Sequence, residues 1–70
     1  MPVMAETFGE RLKRVREDRM KTQRELARDA GVALTTIVNL EQAHNEPRFG
    51  TIRKLARALD VDPHELFKGA

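Results

Sequence analysis

Apolar residues recur at helical spacing in five stretches, with polar punctuation between them. Phe8, Leu12 and Val15 fall at i, i+4 and i+7, one stripe of a helix. Thr7 with Glu10 makes a Thr-x-x-Glu capping box at its start, and the helix is expected to fade near Arg19. Thr22 with Glu25 repeats the box. It opens a short helix with Leu26, Ala27 and Ala30 inward, stopped by Gly31, a natural left-handed terminator. A third segment runs from about Leu34 to Gln42, with Ile37 and Leu40 inward. Pro47 then breaks the chain, and a fourth helix continues to about Leu59 with Ile52, Leu55, Ala56 and Leu59 on one side. Asp62, Pro63 and Glu65 supply an N-cap, a proline at the first helical position and an acid in the first turn. They start a last short helix carrying Leu66 and Phe67. The predicted fold class is all-α, a compact five-helix domain. With no repeat, low-complexity tract or linker, residues 1–70 are expected to form a single domain, with an ordered core over about 7–68 and an N-terminal arm at 1–6.

The third segment runs against local propensity. Thr35, Thr36, Ile37 and Val38 are β-branched in succession, which alone favours a strand. Ile37, Leu40 and Glu41 nevertheless fall at helical spacing. The sequence offers no second strand to pair with, and an isolated strand is unstable. The segment is therefore read as a helix.

Composition narrows the function. Seventy residues make one small domain with one core, too little to house a buried catalytic cleft as well. The absence of Cys removes disulfides, thiolate chemistry and Cys-ligated zinc, and fits a cytoplasmic location. No apolar run approaches the roughly 18 residues of a membrane helix. Met1 to Glu6 lacks both the basic start and the apolar stretch of a signal peptide. No Ser/His/Asp set or carboxylate pair has a pocket to serve, so the expectation is no enzyme, no cofactor and no small-molecule ligand. Glu41 and His44 share a metal-like i, i+3 spacing, but no second pair accompanies them and no metal site is expected. His64 reads as a surface residue.

The net charge of +2 is weak support for a nucleic-acid partner; the distribution says more. Residues 1–30 hold eight Lys/Arg and six Asp/Glu, whereas residues 31–48 hold only Arg48 against Glu41 and Glu46. The middle of the chain is nearly charge-free and its flanks are basic. Most of Arg11, Lys13, Arg14, Arg19 and Lys21 read as a solvated helix face.

Helix two, a tight turn at Ala30-Gly31-Val32-Ala33 and helix three have the layout of a helix-turn-helix. Ala27 is small where the two helices cross, and Gly31 permits a positive φ. Helix three presents Leu34, Thr35, Thr36, Val38, Asn39 and Gln42 outward. A helix lying in a DNA major groove needs such hydrogen-bonding and methyl-bearing side chains, without acidic groups.

The ordered set Phe8-Gly9-Glu10-Arg11-Leu12, Arg16, Thr22-Gln23-Arg24-Glu25-Leu26-Ala27, Ala30-Gly31-Val32, Ile37, Leu40-Glu41, Pro47 and Leu55-Ala56-Arg57-Ala58-Leu59-Asp60-Val61 resembles the lambda-repressor-like helix-turn-helix family, of Cro and phage-repressor type. The resemblance spans about Phe8 to Phe67. It implies a sequence-specific DNA-binding transcriptional regulator, with repression the default for a lone DNA-binding domain. Thr35 and Asn39 match base-reading positions, with Leu34 beside them: Asn suits adenine, and the methyls suit thymine. Gln23 matches a residue that touches a DNA phosphate and braces the recognition helix, and Thr36 a phosphate contact. Arg48 falls where relatives meet the DNA backbone or minor groove. The free N–H groups of Phe49, Gly50 and Thr51 offer a further phosphate site. Arg16 and Glu41 match an ion pair that links helix one to the end of helix three. The alternative for each exposed residue is plain solvated surface.

One such module reads few base pairs, so a homodimer on an inverted repeat is expected. Val61, Pro63, Leu66 and Phe67 offer apolar area for the interface; in the family layout one of Leu66 and Phe67 is core, and the sequence does not say which. The chain departs from the family pattern at Ala33, which replaces a Ser/Thr N-cap at a cost of about 1 kcal/mol, at Leu34, and at Ala43, where a Gly usually ends helix three. Leu34 and Val38 leave open an alternative function, a protein-interaction module such as an antitoxin-like partner or accessory factor.

Overall fold

The computed structural model describes residues 6–42 and 47–67. Five helices follow one another: α1 (Phe8–Asp18), α2 (Gln23–Ala30), α3 (Leu34–Gln42), α4 (Phe49–Leu59) and α5 (Pro63–Phe67). No strand occurs among the described residues. Ala43 and His44, residues 1–5 of the expected arm, and Lys68 lie outside them.

Both capping boxes form. The Thr7 hydroxyl accepts from the Glu10 N–H while Glu10 Oε1 accepts from the Thr7 N–H, and Thr22 and Glu25 do the same at α2. Each box satisfies two of the N–H groups that a helix start leaves open. The helix ends close alike. Met20, Gly31 and Asp60 each take a left-handed conformation, and the following N–H groups fold back onto carbonyls of the last turn. Only one of these three is glycine.

The apolar stripes meet in one core of Phe8, Leu12, Val15, Leu26, Ala27, Ile37, Ile52, Leu55, Ala56, Leu59 and Leu66. Helix α3 packs against α1 and α2; α4 packs against α2 and α5; α5 closes back onto α1. The β-branched run of α3 is helical because Ile37 is wholly buried between its neighbours, so tertiary packing overrides local preference.

Two expectations need correction. Of the expected dimer face Val61, Pro63, Leu66 and Phe67, in which either Leu66 or Phe67 is core, Leu66 drops out: it has no exposed surface, closes the core and cannot reach a partner. Phe67 remains half-buried at the surface. Arg11 departs from the solvated face expected for most of the α1 cations, for it is only 6% exposed. Its guanidinium donates to the carbonyls of Leu66 and Phe67 at the end of α5, and to the carbonyl of Glu6. Cations suit helix C-termini, where carbonyls lack partners. Lys21 acts likewise, donating to the Ala58 carbonyl of α4 and to Asp29. Arg19 reaches the Asp60 carbonyl at 3.2 Å.

Candidate nucleic-acid interface

The turn between α2 and α3 sets the geometry of the face. Gly31 has φ of +73°, a value that side chains with a Cβ resist. The N–H groups of Gly31 and Val32 donate to the carbonyls of Arg28 and Ala27, at 3.2 and 3.0 Å. The chain therefore reverses within three residues, and α3 emerges across α2.

On α3, Thr35, Asn39 and Gln42 are exposed at i, i+4 and i+7, so they form one outward stripe. Val38 is half-buried beside it. Thr36 and Leu34 flank the stripe, both half-buried, and Leu34 packs against the core. Thr35 and Asn39 thus stand together as expected, Leu34 stands off to one side, and Gln42 completes the stripe. Glu41 is the sole charged residue of α3, and it turns inward.

That carboxylate joins three helices. Arg16 of α1 donates from Nε to Glu41 Oε2 at 2.6 Å and from Nη2 to Oε1 at 3.1 Å. Gln23, first residue of α2, donates from Nε2 to the same Oε1 at 3.1 Å. Arg16 Nη1 also donates to the Lys21 carbonyl at 2.8 Å, in the link between α1 and α2. The Glu41 side chain is 4% exposed, and its hydrogen bond holds the Arg16 guanidinium pKa above the ordinary value. Buried pairs of this kind fix geometry more than they add net stability. Arg16 and Glu41 thus pair between α1 and the end of α3, and Gln23 bonds to the same carboxylate from the start of α2. With both oxygens taken, Glu41 is a poor metal ligand, and no cluster of three metal-binding side chains exists among the described residues.

Two helix starts keep unused donors. The Thr22 box engages the N–H groups of Thr22 and Glu25 and leaves those of Gln23 and Arg24. At α4, Arg48 is the N-cap but makes no side-chain cap, so the N–H groups of Phe49, Gly50 and Thr51 are left as well. Arg48 and Arg24 are both exposed. The described surface thus holds an uncharged hydrogen-bonding stripe on α3, and exposed cations with free amides at the starts of α2 and α4. Beside the start of α4, Pro63 is exposed and Phe67 is half-buried, and Val61 in the α4–α5 link is half-buried as well.

Known proteins share this fold. The sequence model of the helix-turn-helix family matches residues 12–66. The HTH-type transcriptional repressor RghR of Bacillus subtilis is 41% identical over 61 residues, which is 86% of this chain and 44% of that protein. The chain thus spans less than half the length of that relative. The restriction-modification controller protein C.AhdI from Aeromonas hydrophila superimposes with a TM-score of 0.80 at 35% identity, covering 86% of this chain and 91% of that one. The P22 c2 repressor protein, solved in complex with a synthetic operator, gives a TM-score of 0.81 at 29% identity over 93% of this chain and 98% of its own. No helix among the described residues is long and apolar enough to cross a membrane. By the matched span, the five-helix order and the α2–α3 turn, the chain belongs to the lambda-repressor-like helix-turn-helix family of Cro and phage-repressor type.

Proposed function

We propose that the chain is a sequence-specific, double-stranded-DNA-binding transcriptional repressor that works in the cytoplasm as a homodimer on an inverted-repeat operator. Helix α3 lies in the major groove. The observation that carries the reading is the Thr35–Asn39–Gln42 stripe, free of charge and braced from behind by Arg16, Gln23 and Glu41. Thr35 and Asn39 read base edges with Leu34 at the margin. Gln23, Thr36, Arg48, Phe49 and Gly50 hold the DNA backbone. Val61, Pro63 and Phe67 supply the dimer face. The reading is supported by the names of the similar proteins, a transcriptional repressor, a controller protein and an operator-bound repressor. No catalytic step forms part of it.

The rival reading, a protein-interaction module, rests on the modest net charge of +2 and on the apolar Leu34 and Val38 of α3. Both are half-buried and Leu34 packs on the core, which leaves little area for a partner. The test is selection from random duplex DNA at moderate salt, followed by sequencing. The expected result is an enriched inverted repeat with half-sites about 34 Å apart. Folded protein that enriches no sequence would overturn the reading.

A further inference from the structure

Helix α4 begins without the local supports that hold α1 and α2. Thr7 and Thr22 each close a capping box, whereas Arg48 makes no side-chain cap and no acidic residue stands in the first turn of α4. A first turn so built depends on tertiary contact. Its first residue, Phe49, is 64% exposed. The ring meets that of Phe67 edge-on, with centroids 5.3 Å apart and planes at 84°. Around the two rings, Ile52, Arg53, Pro63 and His64 complete a groove of about 260 Å³. Phe67 is anchored from behind: Leu66 is wholly buried, and Arg11 donates to the carbonyls of both residues.

We propose that Phe67 is a positioning residue for the backbone grip of α4. Its ring seats Phe49, and thereby holds Arg48 and the free N–H groups of Phe49, Gly50 and Thr51 where a DNA phosphate meets them. The inference rests on the DNA reading above, and it gives Phe67 a part in binding without any contact to DNA. Removing the ring leaves every donor chemically intact but lets the first turn of α4 fray. DNA binding then carries the cost of ordering that turn. An edge-to-face pair is strong enough to change an equilibrium about three- to tenfold.

The test uses the full chain and a mixed-sequence duplex of about 20 base pairs at low salt, because phosphate contacts do not depend on sequence. Affinity is measured by fluorescence anisotropy over a salt series for the unaltered chain, Phe67→Leu, Phe49→Leu, the double variant and Phe67→Tyr. Phe67→Leu is expected to bind about three- to tenfold more weakly with a shallower salt slope, and Phe67→Tyr, which keeps the ring, to bind as the unaltered chain does. In the Phe49→Leu background, Phe67→Leu is expected to cost nothing further, because the route runs through Phe49. An unchanged affinity in Phe67→Leu, or the same loss in both backgrounds, overturns the proposal and leaves Phe67 with the dimer face alone. If the unaltered chain does not bind the duplex, the DNA reading fails and takes the proposal with it. Should Phe67→Leu not fold, hydrogen exchange in Phe49→Leu decides. The Ile52 amide, which makes the first helical bond of α4 to the Arg48 carbonyl at 3.1 Å, is expected to exchange about three- to tenfold faster; unchanged exchange overturns the proposal.

Discussion

Gly9 of α1 lies against the backbone of Glu41 in α3, so close that a Cβ on Gly9 would sit 2.5 Å from the Glu41 carbonyl oxygen and 2.6 Å from that of Leu40. The end of α3 is therefore located twice by α1: by backbone contact at Gly9, and by the guanidinium of Arg16 two turns further along. Gly9→Ala meets carbonyl groups that cannot swing aside as a side chain would. It is expected to lose about 2 kcal/mol, as overpacked cores do, despite the better helix propensity of Ala. Urea unfolding measures the loss. A variant as stable as the unaltered protein would mean that α1 and α3 separate freely.

Arg16 and Glu41 should respond as a pair. Replacing either one by Met strands a buried charge, and each single variant is expected to lose about 3 kcal/mol. The double variant, Arg16→Met with Glu41→Met, fills the same space with apolar atoms and is expected to lose well under the sum. The same unfolding assay closes the cycle. Strict additivity would show that the two side chains do not interact in solution.

Met20 ends α1 with φ of +58° and is 90% exposed. Its side chain gains little from packing while its Cβ strains the left-handed backbone. Met20→Gly is expected to stabilise by about 1 kcal/mol, raising Tm by roughly 4–8 °C for a domain of this size. A lower Tm would mean that the greater freedom of glycine in the unfolded chain outweighs the relief.

Helices α1, α2 and α5 were legible because ends of each are written locally, whereas α3 and α4 were legible from the spacing of their apolar residues. Thr7-x-x-Glu10, Thr22-x-x-Glu25, Gly31 and Asp62-Pro63 carry their signals within a few residues. The stripe of Thr35 and Asn39 was legible for the same reason, as one face of one helix. Arg11 was not. Its partners Leu66 and Phe67 lie more than 50 residues away and are carbonyls, which every residue has. No sequence pattern distinguishes an arginine that finds such carbonyls from one that points into water. Gly9 and Leu66 were hidden similarly, since close approach and core rank depend on how helices cross. The left-handed ends at Met20 and Asp60 lack the glycine that marks Gly31.

Acid should weaken the fold. Four carboxyls sit below their ordinary values: Glu25 through the Thr22 N–H, Glu6 through Arg14, Asp29 through Lys21 and Asp62 through the His64 N–H. Each folded pKa is depressed, so its contribution is present in full above the unfolded values of 4.5 for Glu and 3.8 for Asp. It is lost as pH falls through the lower folded values. Tm is expected to hold between about pH 8 and pH 5 and to drop below about pH 4. Glu25→Gln should flatten part of that drop, because the capping oxygen then no longer titrates. A Tm that rises on acidification would contradict the assignment.

Asn39 and Arg48 should fail differently if the proposed interface is right. Asn39 stands on the uncharged stripe, where its amide can give and take a hydrogen bond at one base. Asn39→Ala is expected to cost about 1–3 kcal/mol on the selected operator and to relax preference at one position of each half-site. Its binding to mixed-sequence DNA and its salt slope should stay put, since no phosphate contact is lost. Arg48, the exposed N-cap of α4, carries a charge and no base-reading geometry. Arg48→Gln is expected to weaken operator and mixed-sequence DNA alike, and to reduce the salt slope by about one for each protomer. Anisotropy titrations of both variants on both duplexes, each at several salt concentrations, separate the two behaviours. If Asn39→Ala weakened both duplexes equally, α3 would be gripping backbone rather than reading bases, and the operator's sequence would have to be read elsewhere.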